Sequence, residues 1–245
     1  MGQIAIGTSG WSYDHWADRF YPTALPRSRW FEYYSGVFPT VEVNYSFYRL
    51  PSTATIERWR SESPEGFRFA VKGSQLITHR LRLRDCESAV ERFFDRVTGL
   101  GERLGVVLWQ LPPDLHRDDG LIDDFLGMLP RQVPVAVEFR DPSWLDGSVD
   151  DVLRRHGAAL VWVSSGQMPP LLTETSSFVY ARFHGLAGDF SHDYTPDELE
   201  PWVAALRGKD GYVFFNNDGR ARAPFNAILL RDLLDRKRPV TVDPA

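Results

Sequence analysis

"VPVAVEFRDPSW", residues 133–144, begins like a buried strand and ends in charged residues. The apolar run from Val133 to Val137 is followed by Glu138, Arg140 and Asp141, so that charges of both signs stand at the end of a core segment. Such an ending indicates one of two things. Either the strand leaves the core for solvent, or its last residues belong to a functional site. The pattern of the other strands decides between these interpretations.

Short apolar runs rich in β-branched and aromatic residues recur along the whole chain, each bounded by turn residues, as expected of strands. The predicted strands are residues 4–8, 40–45, 67–72, 105–111, 133–139, 158–164, 178–184 and 212–217. The amphipathic segments that predict helices between them are residues 53–62, 87–100, 121–129, 149–156, 196–206 and 224–234. The link between the sixth and seventh strands, GQMPPLLTETS, lacks a clear helical pattern.

Alternating strands and helices imply parallel strands that are joined by helical crossovers. Eight such units in 245 residues match the size of one (β/α)8 barrel of the TIM type. No linker or change of composition divides the chain, so residues 1–245 are predicted to form a single α/β domain. A doubly wound open sheet is the structural alternative. Such a sheet normally carries a nucleotide-binding loop with the spacing G-x-G-x-x-G after its first strand. The glycines of GTSGWSYDHW lack this spacing, which favours the barrel.

Successive residues of a strand point to opposite faces of the sheet, which divides each strand into two sets of side chains. In six strands one set is uniformly large and apolar, as with Val41 and Val43. The other set ends in polar residues, which are Glu42, Asn44, Lys72, Gln110, Glu138, Arg140, Arg182, His184 and Asn216. In a barrel this second set faces the interior, and its last layer opens at the catalytic end. Glu138 and Arg140 are therefore interpreted as residues of the barrel mouth.

The chain also contains distinctive motifs, which are IGTSGWSY, FPTVEVNYSFYRLP, FRFAVKGSQLITH, VVLWQLPP, VAVEFRDPSW, VYARFHG and VFFNNDGRARAPFNA. Together they span nearly the whole sequence and resemble the successive signatures of the YecE-like family, called domain of unknown function 72. The resemblance implies a TIM-type barrel and brings no established reaction. Carried over residue by residue, it points to the polar residues named above and adds His79 and Asn217.

Glu42 and Glu138 are the two carboxylates of the predicted mouth, and such a pair can act as general acid and general base when their surroundings separate their pKa values. Arg140, on the same face as Glu138, would keep that carboxylate ionised, which suits a base. Lys72 or His184 would then supply the acid or polarise a carbonyl group. The alternative is a structural ion network between Glu138 and its arginine neighbours.

The cationic residues of the mouth predict an anionic substrate that is bound through its own phosphate or carboxylate group. Loops after the seventh and eighth strands, where TIM barrels often bind phosphate, are glycine-bearing and partly basic here. The residues expected to bind the substrate are Asn44, His79, Gln110, Arg140, Arg182, Asn216 and Asn217. The alternative is that the loop arginines are ordinary solvated charges. Aromatic residues between positions 11 and 21 either stack on a ligand or fill the loop after the first strand.

Other classes of site and partner fit the sequence less well. Histidines and carboxylates lack the tight spacing of a metal motif, and cationic neighbours would repel a divalent ion, so neither a metal nor a cofactor is expected. The net charge of -5 argues against nucleic acid as a partner. A single cysteine, no secretory signal and no apolar run of about 20 residues predict a cytoplasmic protein without a membrane partner. The oligomeric state is left open.

The sequence therefore favours a metal-independent acid–base enzyme acting on a small, polar, anionic substrate, with Glu42, Glu138, Lys72 and His184 as catalytic residues. Whether it is a hydrolase, a lyase or an isomerase is not decided by these residues. A barrel that binds a metabolite without converting it is the first alternative. A metal-dependent enzyme that processes nucleic acid is the second.

Overall fold

Eight parallel strands form one sheet that curls into a nearly closed barrel in the computed structural model, which describes residues 2–145, 147–188 and 190–236. The strands are β1 (Ile4–Thr8), β2 (Thr40–Val43), β3 (Arg68–Lys72), β4 (Leu104–Gln110), β5 (Val135–Glu138), β6 (Ala159–Ser165), β7 (Val179–Gly185) and β8 (Gly211–Phe215). Neighbours in sequence are neighbours in the sheet, and β1 pairs with β8. The predicted α/β barrel is confirmed.

The helices that surround the sheet are α1 (Trp30–Val37), α2 (Tyr45–Tyr48), α3 (Thr53–Glu62), α4 (Glu87–Val97), α5 (Asp119–Gly127), α6 (Asp150–His156), α7 (Pro196–Leu206) and α8 (Arg222–Asp235). The link at residues 166–178 contains no helix, as its sequence indicates. The amphipathic pattern missed α1, in which half of the residues are aromatic, and α2, which is a single turn. No helix among the described residues is long and apolar enough to cross a membrane.

Predicted and observed boundaries differ by up to three residues, and two of the differences stand at a change of backbone conformation. The second strand ends at Val43 rather than at residue 45, because Asn44 has helical backbone angles and starts the turn of α2. The fourth helix ends at Val97 and continues as a tighter 3-10 segment to Arg103, within which Gly101 has a φ of 57°. The first difference matters for the mouth, since the direction of Asn44 no longer follows from strand alternation.

The two faces of the strands pack into two separate apolar clusters, which confirms the alternation predicted from the sequence. The cluster inside the barrel consists of Ala70, Val106, Leu108, Ala136, Ala159, Val161, Val163, Tyr180 and Phe214. Strand residues of the opposite set, such as Val41, Phe69 and Val137, belong to the larger cluster that includes the helices. The interior of the barrel is therefore filled with apolar side chains below the polar residues of the mouth.

The seam between β1 and β2 closes the barrel without a continuous ladder. An isolated parallel bridge joins Ser9 to Glu42. The Tyr34 hydroxyl spans the seam by accepting from the Thr8 backbone N–H at 3.0 Å and donating to the Thr40 carbonyl oxygen at 3.0 Å. A Cβ atom at Gly7 would lie 2.2 Å from that same carbonyl oxygen, so the close approach of the two strands requires glycine there.

Aromatic residues fill most of the loop between β1 and α1. Trp16, Phe20 and Tyr21 are buried, and Tyr21 stacks on Trp30 with ring centroids 4.6 Å apart. Trp16 also donates from its indole nitrogen to Asp218 at 2.6 Å, which ties this loop to the loop after β8. These three rings therefore form the packed interior of the loop.

Replacing Leu108 by Ala is expected to lower the free energy of unfolding by about 2–5 kcal/mol, because it opens a cavity in the sealed interior of the barrel. Leu108 is fully buried there. As a control, Leu172→Ala shortens a side chain that is 43% exposed, and should change stability by less than about 0.5 kcal/mol. Urea denaturation measures both, and equal losses would contradict the interior position of Leu108.

Candidate functional site

The carboxyl ends of the strands bring most of the predicted site residues together in two layers. The deep layer contains Glu42 from β2, Glu138 from β5 and Arg182 from β7, all three almost completely inaccessible to solvent. The upper layer contains polar side chains that are less deeply buried, which are Lys72, Gln110, Arg140, His184 and Asn216. The alternation of the strands explains why the two layers lie on the same inner face.

In the deep layer, one guanidinium group bridges two carboxylates. Arg182 donates from Nη1 to Oε2 of Glu138 and from Nη2 to Oε1 of Glu42, each at 2.6 Å. Glu42 also accepts from the Ser9 hydroxyl and from the Tyr180 hydroxyl, both at 2.7 Å. Both oxygens of Glu42 are therefore engaged within the protein.

The bridge determines the charge of the two carboxylates. Burial by itself would raise the pKa of Glu42, but the Arg182 guanidinium and the hydrogen bonds hold this pKa below its ordinary value. Burial likewise opposes ionisation of Glu138, while Arg140 and Arg182 hold its pKa well below the usual range. Both carboxylates are therefore ionised at neutral pH, and the pKa of Arg182 is raised in return.

In the upper layer, Arg140 and His184 lie above Glu138. Nε of Arg140 contacts Oε1 of Glu138, and its Nη2 lies 2.8 Å from Nε2 of His184. Burial and the positive charge of Arg182 lower the pKa of His184 to about 4. His184 is thus neutral at pH 7 and accepts from Arg140 through Nε2, while its Nδ1 lies 3.1 Å from the side-chain amide of Asn216.

Lys72 occupies the other side of the upper layer, with only 9% of its surface exposed. Its ammonium group donates to Oε1 of Gln110 at 2.7 Å and lies 4.2 Å from the centre of the Phe47 ring. Burial and the Arg182 charge lower the pKa of Lys72 to about 8. His79 contacts the same Phe47 ring, with ring centroids 5.0 Å apart, so this histidine also belongs to the surroundings of Lys72.

The charges of the two layers do not cancel. The cationic side chains Lys72, Arg140 and Arg182 accompany only two carboxylates, Glu42 and Glu138. Both carboxylates are paired with arginines, whereas Lys72 has no carboxylate oxygen within 4.0 Å among the described residues. The two layers together therefore carry one positive charge in excess, located at a nearly buried amine.

Two predicted site residues lie at the edge of this arrangement. Asn217 donates to the backbone oxygen of His192 at 2.7 Å and to Oδ1 of Asn226 at 2.6 Å, which joins the loop after β7 to α8. Asn44 is half-buried and borders a cavity of about 680 Å³ beside the mouth. Trp11 and Tyr13 also line this cavity, which lies between the loop after β1 and the helices α1 and α3.

Exposed apolar side chains are concentrated around the open end of the barrel. The large apolar residues that are at least a third exposed in the described chain are Tyr45, Tyr48, Leu76, Leu172, Leu186, Phe190 and Phe225. All but Leu172 lie just after the carboxyl end of a strand or in the first turn of α8. These exposed apolar side chains and the charged interior therefore lie at the same end of the barrel.

Three residues of the site escaped the sequence analysis as functional candidates. Ser9 follows β1 directly, and extending the alternation one residue beyond Thr8 would have placed it on the inner face beside Glu42. Tyr180 lies on the inner face of β7, but its sequence does not reveal that its hydroxyl reaches Glu42. Phe47 lies on α2, and no periodicity indicates that its ring packs against Lys72.

In the part of the chain that the structure describes, no group of three or more His, Cys, Asp or Glu residues is arranged to hold a metal ion. The glutamates of the mouth are paired with arginines instead. The negative charges of the two carboxylates are thus balanced by cationic partners within the protein.

Replacing Arg182 by Met is expected to lower the free energy of unfolding by about 3–5 kcal/mol at pH 8, because it leaves the buried carboxylate of Glu42 without a cation and leaves Glu138 with Arg140 alone. Urea denaturation measures the loss. The control is Arg84→Met, which removes an exposed guanidinium paired with Asp118 at 3.2 Å and should change stability by less than about 1 kcal/mol.

The loss caused by Arg182→Met should shrink when the pH falls from 8 to 5. In the parent protein the folded-state pKa values of Glu42 and Glu138 are depressed, so their stabilisation is present above the ordinary value of 4.5 and disappears only as the pH falls through the folded-state values. In the variant burial raises the pKa of Glu42, which has lost its cation, so protonation of Glu42 relieves the penalty as the pH falls. A loss that is equal at both pH values would contradict the ionised state of Glu42.

Sequence and structure comparisons relate this chain to known proteins. The model of the family described as "Protein of unknown function DUF72" matches residues 5–245. The UPF0759 protein YunF of Bacillus subtilis is 28% identical over an alignment of 270 residues that covers 95% of each protein. The UPF0759 protein YecE of Escherichia coli K12 is 33% identical over 154 residues, which cover 62% of this chain and 54% of that protein.

Solved structures show the same fold. A DUF72 family protein from Thermotoga maritima superposes with a TM-score of 0.87 at 28% identity, covering 96% of this chain and 100% of the other. A DUF72 family protein from Enterococcus faecalis superposes with a TM-score of 0.81 at 20% identity, covering 98% of this chain and 100% of the other. The YecE-like resemblance of the motifs is thereby confirmed, and this chain belongs to the DUF72 family of proteins of unknown function.

Proposed function

We propose that this protein is a metal-independent acid–base enzyme that converts a small, polar substrate carrying a carboxylate or a phosphate at the mouth of the barrel. The excess positive charge of the mouth carries this proposal. Lys72 and Arg140 lie above a deep layer in which Arg182 already neutralises much of the charge of the two glutamates. An anion that enters from the open end would meet an amine without a carboxylate partner.

The upper layer supports a division of roles in substrate binding. Lys72 and Arg140 would pair with the anionic group, since hydrogen bonds between charged partners are about twice as strong as neutral ones. Side-chain amides and imidazoles around them would orient the rest of the substrate by hydrogen bonds. The residues proposed for that orientation are Asn44, His79, Gln110, His184 and Asn216. Asn217 would act indirectly, by holding the loop after β7 against α8.

Lys72 is better suited to transfer a proton than either glutamate. Its pKa of about 8 lies close to neutral pH, where a general acid or base works best. Glu42 has both oxygens engaged, and the pKa of Glu138 lies far below neutral, which makes it a weak base. We therefore assign proton transfer to Lys72, and assign to the glutamates the role of holding the cationic groups in place.

The same charges support chemistry without a metal. A divalent cation at the mouth would be repelled by Lys72 and Arg140, and the carboxylates that could ligate it are held by arginines. The proposal also places the enzyme in the cytoplasm, where the single cysteine, Cys86, would remain reduced.

The proposal predicts that small anions stabilise the protein against heat and that Lys72→Met weakens this effect. Inorganic phosphate, sugar phosphates and sugar acids would be compared in a thermal-shift assay, in which a ligand at 100 times its dissociation constant contributes about 2.7 kcal/mol. Loss of one charge-assisted hydrogen bond should raise the dissociation constant by about 10-fold or more. The control is Lys209→Met, which removes a lysine paired with Glu174 outside the mouth.

An absence of any shift with all of these anions, or shifts that survive both Lys72→Met and Arg140→Met, would refute the anion site. Binding without turnover of any substrate class would instead favour a non-catalytic barrel. For an enzyme, the rate should change with pH around 8, the pKa to which Lys72 is lowered.

Without ligand, Lys72→Met should make the protein more stable at pH 7. The pKa of Lys72 is lowered from 10.5 to about 8 in the folded state, so the buried charge destabilises the fold at every pH below 8. This penalty fades between pH 8 and pH 10.5, where the amine is neutral in the folded state and loses its proton in the unfolded state as well. Urea denaturation at pH 7 and pH 10 tests this, and a destabilised variant at pH 7 would contradict it.

A further inference from the structure

The surroundings of Lys72 favour a second chemical role for its amine. Charged groups face it from several elements: Glu42 on β2, Glu138 on β5 and Arg140 just after it, Arg182 on β7, and His79 on the turn after β3. Its hydrogen-bond partner is a neutral amide oxygen, that of Gln110. No carboxylate oxygen of the described residues lies close enough to form a salt bridge that would hold it in the charged form.

An amine attacks carbon only when it is neutral, and lysines that form covalent intermediates are made neutral by burial or by neighbouring cations. Both conditions are met here, since Lys72 is 9% exposed and two arginines face it. Compared with an ordinary lysine of pKa about 10.4, a pKa of about 8 increases the neutral fraction at pH 7 on the order of 100-fold. The amine is therefore available as a nucleophile without a separate base.

We propose that Lys72 forms an imine with the carbonyl carbon of an anionic aldehyde or ketone, whose carboxylate or phosphate pairs with Arg140. The inference rests on the proposed anion site and narrows its substrate class to carbonyl compounds that carry an anionic group, such as 2-oxo acids and phosphorylated aldehydes. Arg140 suits the anionic group because its side chain is 20% exposed and reaches the upper layer, whereas Arg182 is sealed below it.

The step balances without an oxidant or a cofactor. The lone pair of the neutral amine forms a bond to the carbonyl carbon, and the carbonyl oxygen takes up a proton to give a carbinolamine. The nitrogen loses a proton to solvent, and the hydroxyl group leaves as water after it is protonated. The product is a protonated imine, which retains the positive charge of the original ammonium group. Its N–H can donate to the same Gln110 oxygen that accepts from Lys72.

Borohydride trapping tests this inference, because it reduces an imine to a stable secondary amine. The intact protein would be treated with pyruvate, a 2-oxo acid, with glycolaldehyde phosphate, a phosphorylated aldehyde, and with acetaldehyde, a neutral carbonyl compound. The sequence contains only three lysines, Lys72, Lys209 and Lys237, so peptide mass mapping can assign every lysine adduct. The two anionic probes distinguish a carboxylate from a phosphate as the recognised group.

At least one anionic probe is expected to label Lys72 at least about 10-fold more than Lys209, with a rate that rises through pH 8. Lys72→Met should abolish this labelling, and Lys209→Met should leave it unchanged. Arg140→Met should reduce labelling by the anionic probes about 10-fold more than labelling by acetaldehyde, because only the anionic probes lose a charged contact, whereas a change in the reactivity of Lys72 affects all probes alike.

Two failures are distinguishable. If anions stabilise the protein but no probe labels Lys72 in preference to Lys209, the imine is refuted while the anion site stands. If no anion stabilises the protein, the proposed function fails together with this inference. Labelling of Lys72 that is equal for acetaldehyde and the anionic probes, and insensitive to Arg140→Met, would refute the anionic substrate class.

Discussion

The bridge from Arg182 to Glu42 and Glu138 is the interaction on which the mouth of this barrel depends. Three charges lie in a space that solvent hardly reaches, and each is tolerable only because the others are present. The bridge also joins β2, β5 and β7 across the interior. The three joined strands thereby keep the residues of the upper layer in position. Ser9 and Tyr180 complete the hydrogen bonds of Glu42.

The bridge has a consequence for the residues above it. Because the arginines engage both carboxylates, Lys72 is left beside an amide and an aromatic ring rather than beside a counter-ion. A buried amine of lowered pKa destabilises the fold, and natural proteins retain such strain mainly where function needs it. The loss of stability caused by Lys72 and its proposed chemistry thus both follow from the burial of its amine without a counter-ion.

The site rests mainly on strands, and the loops around it are tied to one another. Trp16 joins the loop after β1 to the loop after β8 through Asp218, and Asn217 joins the loop after β7 to α8. Side chains supported in this way keep their geometry before a ligand arrives, which lowers the entropy lost on binding. The exposed apolar side chains around the open end of the barrel lie where a ligand would enter the mouth.

The sequence by itself determined the barrel and the end at which its polar residues lie. Strand alternation is a local property with a period of two, so the inner position of Glu138 and Arg140 could be read from the segment 133–144 alone. Asn44 departs from this pattern because the chain turns into α2 directly after Val43. Only the tertiary structure decided which charges pair, since Arg182 meets partners 44 and 140 residues away. Closure of the barrel brings these residues together, and no local sequence pattern encodes contacts between residues so far apart in the chain.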